Sequence, residues 1–215
     1  MPAKRLSEVM PEARVRDSPC QFRSELHQLA TDAFSTCATI EAQLATLLVV
    51  TLGASAAPAA AMLKTLNGAK EQRDAIAAAG KAILSPERGK MLDKIIKRIE
   101  AAYVPRNRLA HCLWSCSPDV PGAILLVDKQ AVMQMNLQAM ELMLNRWAGG
   151  DIVYDPAHIW VYTQEDLEQV CEDLRAALWL VIDFRQLTSF ERAWEGREDP
   201  FTTGLDKKLR RALDY

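Results

Sequence analysis

Residues 85–111 have the sequence SPERGKMLDKIIKRIEAAYVPRNRLAH and decide the fold of this 215-residue chain. They open with a helix start signal, in which Ser85 can cap the helix, Pro86 suits its first turn and Glu87 complements its N-terminus. Apolar residues then recur at helical spacing, and basic residues occupy the opposite face. The apolar stripe is Met91, Ile95, Ile99 and Ala102, and the basic face is Lys90, Lys94, Lys97 and Arg98. The stretch predicts an amphipathic helix.

Pro105 interrupts this helical pattern. Because proline is best tolerated in the first turn of a helix, the sequence predicts a break and a new helix that begins at Pro105. Arg106 would then lie near a helix N-terminus, where free N–H groups and the helix dipole favour an anion. His111, whose imidazole can give or take a proton, follows one to two turns later. An arginine for a phosphate and a histidine for a proton are the minimal parts of a metal-free ribonuclease.

The spacing of Arg106 and His111 places their side chains on different sides of the helix. At about 100° per residue, Arg106 and His111 are roughly 140° apart around an ideal helix. The long side chain of Arg106 must therefore reach round to converge with His111. Asn107 shares a face with His111 and is placed to orient the imidazole or to bind substrate.

The pattern R-N-x-L-A-H from Arg106 to His111 resembles the active-site motif of the HEPN superfamily of small helical domains. That motif is an arginine, usually followed by a polar residue, and a histidine after four intervening positions. Arg106, Asn107 and His111 match it position by position, and Cys112 stands where the family often has glycine. The resemblance implies a metal-independent endoribonuclease without cofactor, in which a homodimer brings two copies of the motif to one cleft. It also implies a role as a toxin or phage-defence effector with an antitoxin or defence partner protein.

Three basic residues are the candidate substrate-binding residues, namely Lys97, Arg98 and Arg108. They form a track towards the motif that would suit an RNA backbone. A solvated helix face explains the basic residues equally well. Two alternatives to catalysis therefore stay open. One is a non-catalytic RNA- or nucleotide-binding module of the same fold, and the other is a helical module that binds a partner protein.

The composition indicates a globular domain with a substantial core, since 49% of the residues are hydrophobic. With 26 basic and 28 acidic residues the net charge is −2, so RNA binding would require a local basic patch. The five cysteines are an odd number in a long chain whose first residues lack a secretory signal. We expect reduced thiols and a cytoplasmic location. Cys112 and Cys116 lack two further ligands at suitable spacing, so we expect no metal site.

Residues 42–63 carry no charge and are long enough to span a bilayer. Alanine and polar residues dilute the stretch, and Gly53 and Pro58 interrupt it, which makes its transfer into lipid weakly favourable. The sequence therefore predicts a buried helical hairpin and no membrane association.

The predicted fold class is all-α, an up-and-down bundle of about five to seven helices with a small two-stranded β-ribbon from residues 123–128 and 157–163. The predicted domains are a flexible arm over residues 1–17, a HEPN-like helical domain over 18–189 and a basic C-terminal tail over 190–215. The helix predicted from Val132 to Trp147 is apolar nearly all round. Such a helix needs more than one partner surface, either core or a dimer interface.

Overall fold

A computed structural model describes residues 3–13, 15, 24–53, 55–66, 68–144, 155–193 and 200–214. These residues are predominantly helical and include one small antiparallel sheet, which confirms the predicted fold class. The strands are β1 (Lys4–Arg5), β2 (Leu113–Ser115), β3 (Ile124–Val127) and β4 (Ile159–Tyr162). The helices are α1 (Leu6–Val9), α2 (Ser24–Leu52), α3 (Ala56–Lys64), α4 (Ala69–Ile83), α5 (Pro86–His111), α6 (Lys129–Leu144), α7 (Gln164–Ala193) and α8 (Pro200–Ala212).

The chain divides into two compact units. The first unit comprises Met1–Ala33 and Val104–Cys171, and the second comprises Phe34–Tyr103 and Glu172–Tyr215. Helices α2, α5 and α7 each contribute one part to each unit. The sheet and α6 belong to the first unit, whereas α3, α4 and α8 belong to the second.

The sheet has the strand order β1-β4-β3-β2, and every pairing is antiparallel. The predicted ribbon is its central pair, in which Leu125 lies opposite Val161. The sequence did not predict the two edge strands, because runs of two and three residues are too short to show a periodicity. One of them lies in the region predicted as a flexible arm, where Lys4–Arg5 pairs with β4 and Leu6 is buried.

Helix α6 packs on one face of the sheet and completes the core of the first unit. This core contains Leu6, Ala123, Leu125, Val127, Ala131, Met135, Ile159 and Val161. All four residues of β3 are buried, so both of its faces are covered. That burial accounts for the unbroken apolar run at Ile124–Val127.

The second unit has its core on the apolar stripe of α5. Met91, Ile95 and Ile99 are fully buried, which confirms the predicted amphipathic helix. Helix α8 lies where the sequence predicted a basic tail, and it buries Leu205 and Leu209.

The uncharged stretch at residues 42–63 is divided between α2 and α3. Gly53 follows α2 with a φ of 59°, a left-handed conformation that glycine adopts without strain. Within the described residues, α2 is the one helix that is long and apolar enough to cross a membrane. The core helix of a soluble protein meets the same criterion.

The predicted helix break at Pro105 is wrong, because α5 continues through Pro105 to His111. A proline in a helix interior removes one backbone hydrogen bond and crowds the preceding turn. Tyr103 and Leu109, on either side of it, are both buried. Packing of these two side chains favours the helical conformation and so opposes the destabilising effect of the proline.

The prediction of five reduced cysteines is wrong for Cys116, which is disulfide-bonded. Cys37, Cys112 and Cys171 are free thiols. The odd number of cysteines, on which that expectation rested, did not exclude a disulfide at Cys116. The cytoplasmic location stays a prediction.

Candidate functional site

The three motif residues lie together in the last two turns of α5, within the first unit. His111 is exposed and Arg106 is half-buried. Arg106 Nη1 donates a hydrogen bond to Asn107 Oδ1 at 3.2 Å, so Asn107 contacts the arginine. Because α5 is continuous, Arg106 lies far from the helix N-terminus at Pro86. The predicted contribution of free N–H groups to anion binding is therefore absent at Arg106, and its guanidinium supplies the positive charge.

Two hydrogen bonds hold the C-terminal end of α5. The N–H group of Cys112 donates to the Arg108 carbonyl at 2.9 Å, and Trp114 Nε1 donates to the Leu109 carbonyl at 2.7 Å. The Trp114 ring also stacks on His27, with 5.3 Å between the ring centroids. The two hydrogen bonds satisfy carbonyl groups that a helix end would otherwise leave unpaired. They fix the backbone at His111 while its side chain remains exposed.

His111 lines an open pocket of about 500 Å³ between the end of α5 and helix α6. The other lining residues are Cys112, Leu113, Val127, Lys129, Val132, Met133, Asn136, Leu137 and Met140. Most of these side chains are apolar, and His111, Lys129 and Asn136 supply the polar groups. A concave, largely apolar surface with a few polar groups is typical of a binding site.

Cys112 contributes a protonated thiol to this pocket. Burial raises the pKa of the Cys112 thiol, and the charge of Asp128 raises it further. The nearby charges of Arg108, Arg5 and Lys129 oppose this shift but do not outweigh it. Cys112 is therefore unsuited to act as a nucleophile at neutral pH.

Arg108 packs against the sheet. Its guanidinium carbon lies 3.6 Å from the ring centroid of Trp160, and the guanidinium carbon of Arg5 lies 3.4 Å from the same ring. Both contacts are cation–π interactions. Burial raises the pKa of the neighbouring Tyr162 hydroxyl, and Arg108 partly opposes this shift. The charge of Arg108 is thus engaged within the fold, and its role in substrate binding stays a prediction.

Lys97 and Arg98 are exposed and belong to the second unit, whereas the pocket consists of residues of the first unit. Another residue of the basic face of α5, Lys94, donates from Nζ to the Leu213 carbonyl at 3.1 Å. That contact stabilises the end of α8. Substrate binding by Lys97 and Arg98 stays a prediction.

The sequence did not predict the contact by which Asp128 positions α6. Its Oδ1 accepts hydrogen bonds from the N–H groups of Gln130 and Ala131, both at 3.1 Å, and so caps the helix. Its Oδ2 lies 2.9 Å from Nδ1 of His158, the residue directly before β4. Burial opposes ionisation of Asp128, but these hydrogen bonds prevail and lower its pKa. An aspartate directly before Lys129 was the available signal for this cap.

Among the described residues, no group of three or more His, Cys, Asp and Glu side chains is placed to hold a metal ion. No protein-family model, curated protein or solved structure matches the chain.

Proposed function

We propose that this protein is a metal-independent endoribonuclease of the HEPN type, in which His111 transfers protons and Arg106 stabilises the phosphate. The observation that supports this function best is the exposed His111 at the edge of an open pocket. Arg106 lies five positions earlier on the same helix. Cleavage of RNA next to a ribose 2′-hydroxyl requires these two kinds of side chain and no metal.

The reaction would proceed by attack of the 2′-oxygen on the adjacent phosphorus. A base takes the 2′-hydroxyl proton, a new oxygen–phosphorus bond forms, and the bond to the 5′-oxygen of the next nucleotide breaks. An acid then gives a proton to that leaving oxygen. The products are a 2′,3′-cyclic phosphate and a free 5′-hydroxyl. Arg106 would neutralise the negative charge that develops on the phosphorane.

This reaction requires a base and an acid, and one histidine lines the pocket of each copy of the chain. Cys112, with its raised pKa, is a poor candidate for the base. A homodimer would supply a second His111 to the same cleft. We therefore propose that the active enzyme is a homodimer, as the resemblance to HEPN domains implies. A toxin or phage-defence role, with a partner protein that restrains the activity, is part of the same proposal.

The first experiment is cleavage of a mixed RNA pool in excess EDTA by the wild-type protein and the variant His111→Ala. His27→Ala is the matched control, because His27 is another exposed histidine of the first unit and does not line the pocket. We expect wild type and His27→Ala to cleave and leave 2′,3′-cyclic phosphate ends, and His111→Ala to be inactive. Equal cleavage by wild type and His111→Ala would contradict the proposal, as would a requirement for a divalent metal.

A second candidate function is that of a non-catalytic module that binds RNA, nucleotides or a partner protein through the same pocket. The apolar lining contributed by Met133, Leu137 and Met140 favours it. In that case His111→Ala would weaken binding of a labelled oligonucleotide or partner without any cleavage by the wild type. Cleavage of the matching ribo-oligonucleotide by the wild type distinguishes the two functions, since both would bind the non-cleavable 2′-deoxy form.

A further inference from the structure

Helix α6 carries an apolar stripe that its own chain leaves exposed. Met133, Leu137, Met140 and Leu144 are 59%, 55%, 60% and 78% exposed, respectively. Their spacing of four, three and four residues is that of the a and d positions in a coiled coil. We call these four residues the α6 seam.

The opposite face of α6 already packs against the core of the first unit. Ala131 and Met135 lie on that face and are buried against the sheet, where they belong to the core. The α6 seam is therefore unnecessary for the core. An exposed coiled-coil seam on a helix that is already packed on its other side is typical of a surface for a second helix.

The size of the exposed surface suits an interface. Leu113, which lines the pocket, and Met143 are also exposed, at 46% and 71%. With the four residues of the α6 seam, this makes six side chains that expose on the order of 100 Å² each, or roughly 600 Å² in one copy. Pairing of two copies would bury about 1,200 Å², which reaches the lower range of specific protein interfaces.

We propose that two copies of this chain pair antiparallel through the α6 seam, about a two-fold axis near Asn136 and Leu137. In this arrangement Met133 of one copy faces Met140 of the other, so the stripe is complementary to itself. Lys129, in the first turn of α6, approaches the C-terminal end of the other α6. The helix dipole and Glu141 make that end negative, so the antiparallel orientation is electrostatically favoured over the parallel one.

The pairing brings the pockets of the two copies to one interface, because Met133, Leu137 and Met140 line the same pocket as His111. The two His111 side chains then border a shared groove. The antiparallel dimer stands independently of catalysis, and only its role in completing an active site rests on the proposed ribonuclease function.

The test is the molar mass of the full chain in solution, measured by light scattering at concentrations of tens of micromolar. We expect a dimer for the wild type and monomers for Leu137→Glu and for Leu137→Lys, because each substitution places like charges together near the two-fold axis. An equimolar mixture of the two variants should form dimers again. Trp179→Glu is the matched control, since Trp179 is 58% exposed and lies on α7 in the second unit, and it should remain dimeric.

A second pair of variants tests the orientation and does not require a charged residue in the seam. Under mild oxidation, a mixture of Met133→Cys and Met140→Cys should form a disulfide between copies more readily than either variant alone. Faster cross-linking of each variant with itself would overturn the antiparallel arrangement. A monomeric wild type, or a dimeric Leu137→Glu, would overturn the pairing. A wild-type dimer that does not cleave RNA would leave the pairing supported and the ribonuclease function contradicted.

Discussion

The two ends of helix α5 both carry basic residues, but the surroundings of those side chains differ. At its beginning, Arg88 contacts two carboxylates, Glu191 of α7 and Asp206 of α8, with 2.5 Å between Arg88 Nη2 and Glu191 Oε1. At its end, Arg106 contacts its neighbour Asn107, and the His111 side chain is exposed. One end has its charges neutralised within the fold, and the other presents a titratable side chain to an open pocket.

This difference distinguishes a structural charge cluster from a candidate site. Arg88 is 15% exposed, and its partners hold α7 and α8 against the start of α5 within the second unit. Charges that are paired in this way stabilise the fold but have no capacity left for a ligand. An exposed histidine beside an apolar pocket contributes little to stability and keeps its capacity for chemistry. Substitutions at the two ends should therefore have opposite effects on activity and stability.

The largest effect is expected at His111. Replacement by alanine should lower the rate of RNA cleavage by roughly 100-fold or more, because it removes the proposed acid–base group. The same variant should change the free energy of unfolding by less than about 0.5 kcal/mol, since the side chain is exposed. Initial cleavage rates and urea denaturation curves measure the two quantities. A large loss of stability in His111→Ala would show that the His111 side chain helps to hold the fold together, as the Arg88 side chain does.

Arg88→Met should produce the converse result. We expect a loss of about 2 kcal/mol in the free energy of unfolding, because two carboxylates lose their charged donor. Cleavage activity per folded molecule should be unchanged. Urea denaturation measures the loss, with exposed Lys90→Met, on the same helix, as the control for loss of a positive charge. Equal stability of the two variants would contradict a structural role for the cluster.

Arg108→Gln should have a smaller effect, a loss of about 1 kcal/mol in the free energy of unfolding, because its cation–π contact with Trp160 is lost. A double-mutant cycle with Trp160→Leu isolates this contact, and we expect a coupling energy of about 0.5–1 kcal/mol. Absence of coupling would indicate that Arg108 is available to a substrate, as the sequence predicted.

Periodicity in the sequence was sufficient to predict the elements with large apolar faces. Met91, Ile95 and Ile99 fall on one side of α5, and the apolar run in β3 together with the alternation in β4 predicted the central pair of the sheet. These predictions succeeded because burial of one face requires a fixed spacing.

The remaining features depend on contacts between distant parts of the sequence. The continuity of α5 through Pro105 depends on the burial of Tyr103 and Leu109, which local propensity does not contain. Likewise, the spacing of Met133 and Leu137 is the same for a buried and an exposed stripe, so the sequence left core and interface as alternatives. The motif placed His111 on a helix, but the pocket beside it also requires α6, whose first turn Asp128 caps.

The smallest expected effect is a change of the free energy of unfolding with pH, which should arise from the charged residues at the beginning of α5. Burial opposes ionisation of Asp206, but hydrogen bonds from Arg210 and Arg88 prevail and hold its pKa below the ordinary value. Because the pKa is lower in the folded protein than in the unfolded chain, the ionised carboxylate stabilises the fold at neutral pH. This contribution is lost as the pH falls through the folded-state pKa, below about 4.

Asp206→Asn should therefore lower the free energy of unfolding at pH 7 by less than about 1 kcal/mol, since Asp206 and its arginine partners are partly exposed. The difference in free energy between the variant and the wild type should shrink between pH 5 and about pH 3. Urea denaturation at each pH measures this difference. The variant His111→Ala is the control at the other end of the helix, and its difference from wild type should remain near zero over the same acidic range, because the exposed side chain contributes little to stability. A difference for Asp206→Asn that stayed constant with pH would mean that Asp206 contributes through packing and neutral hydrogen bonds. The residues at the beginning of α5 would then stabilise the fold through packing. The two ends of the helix would no longer differ in how their charges are paired.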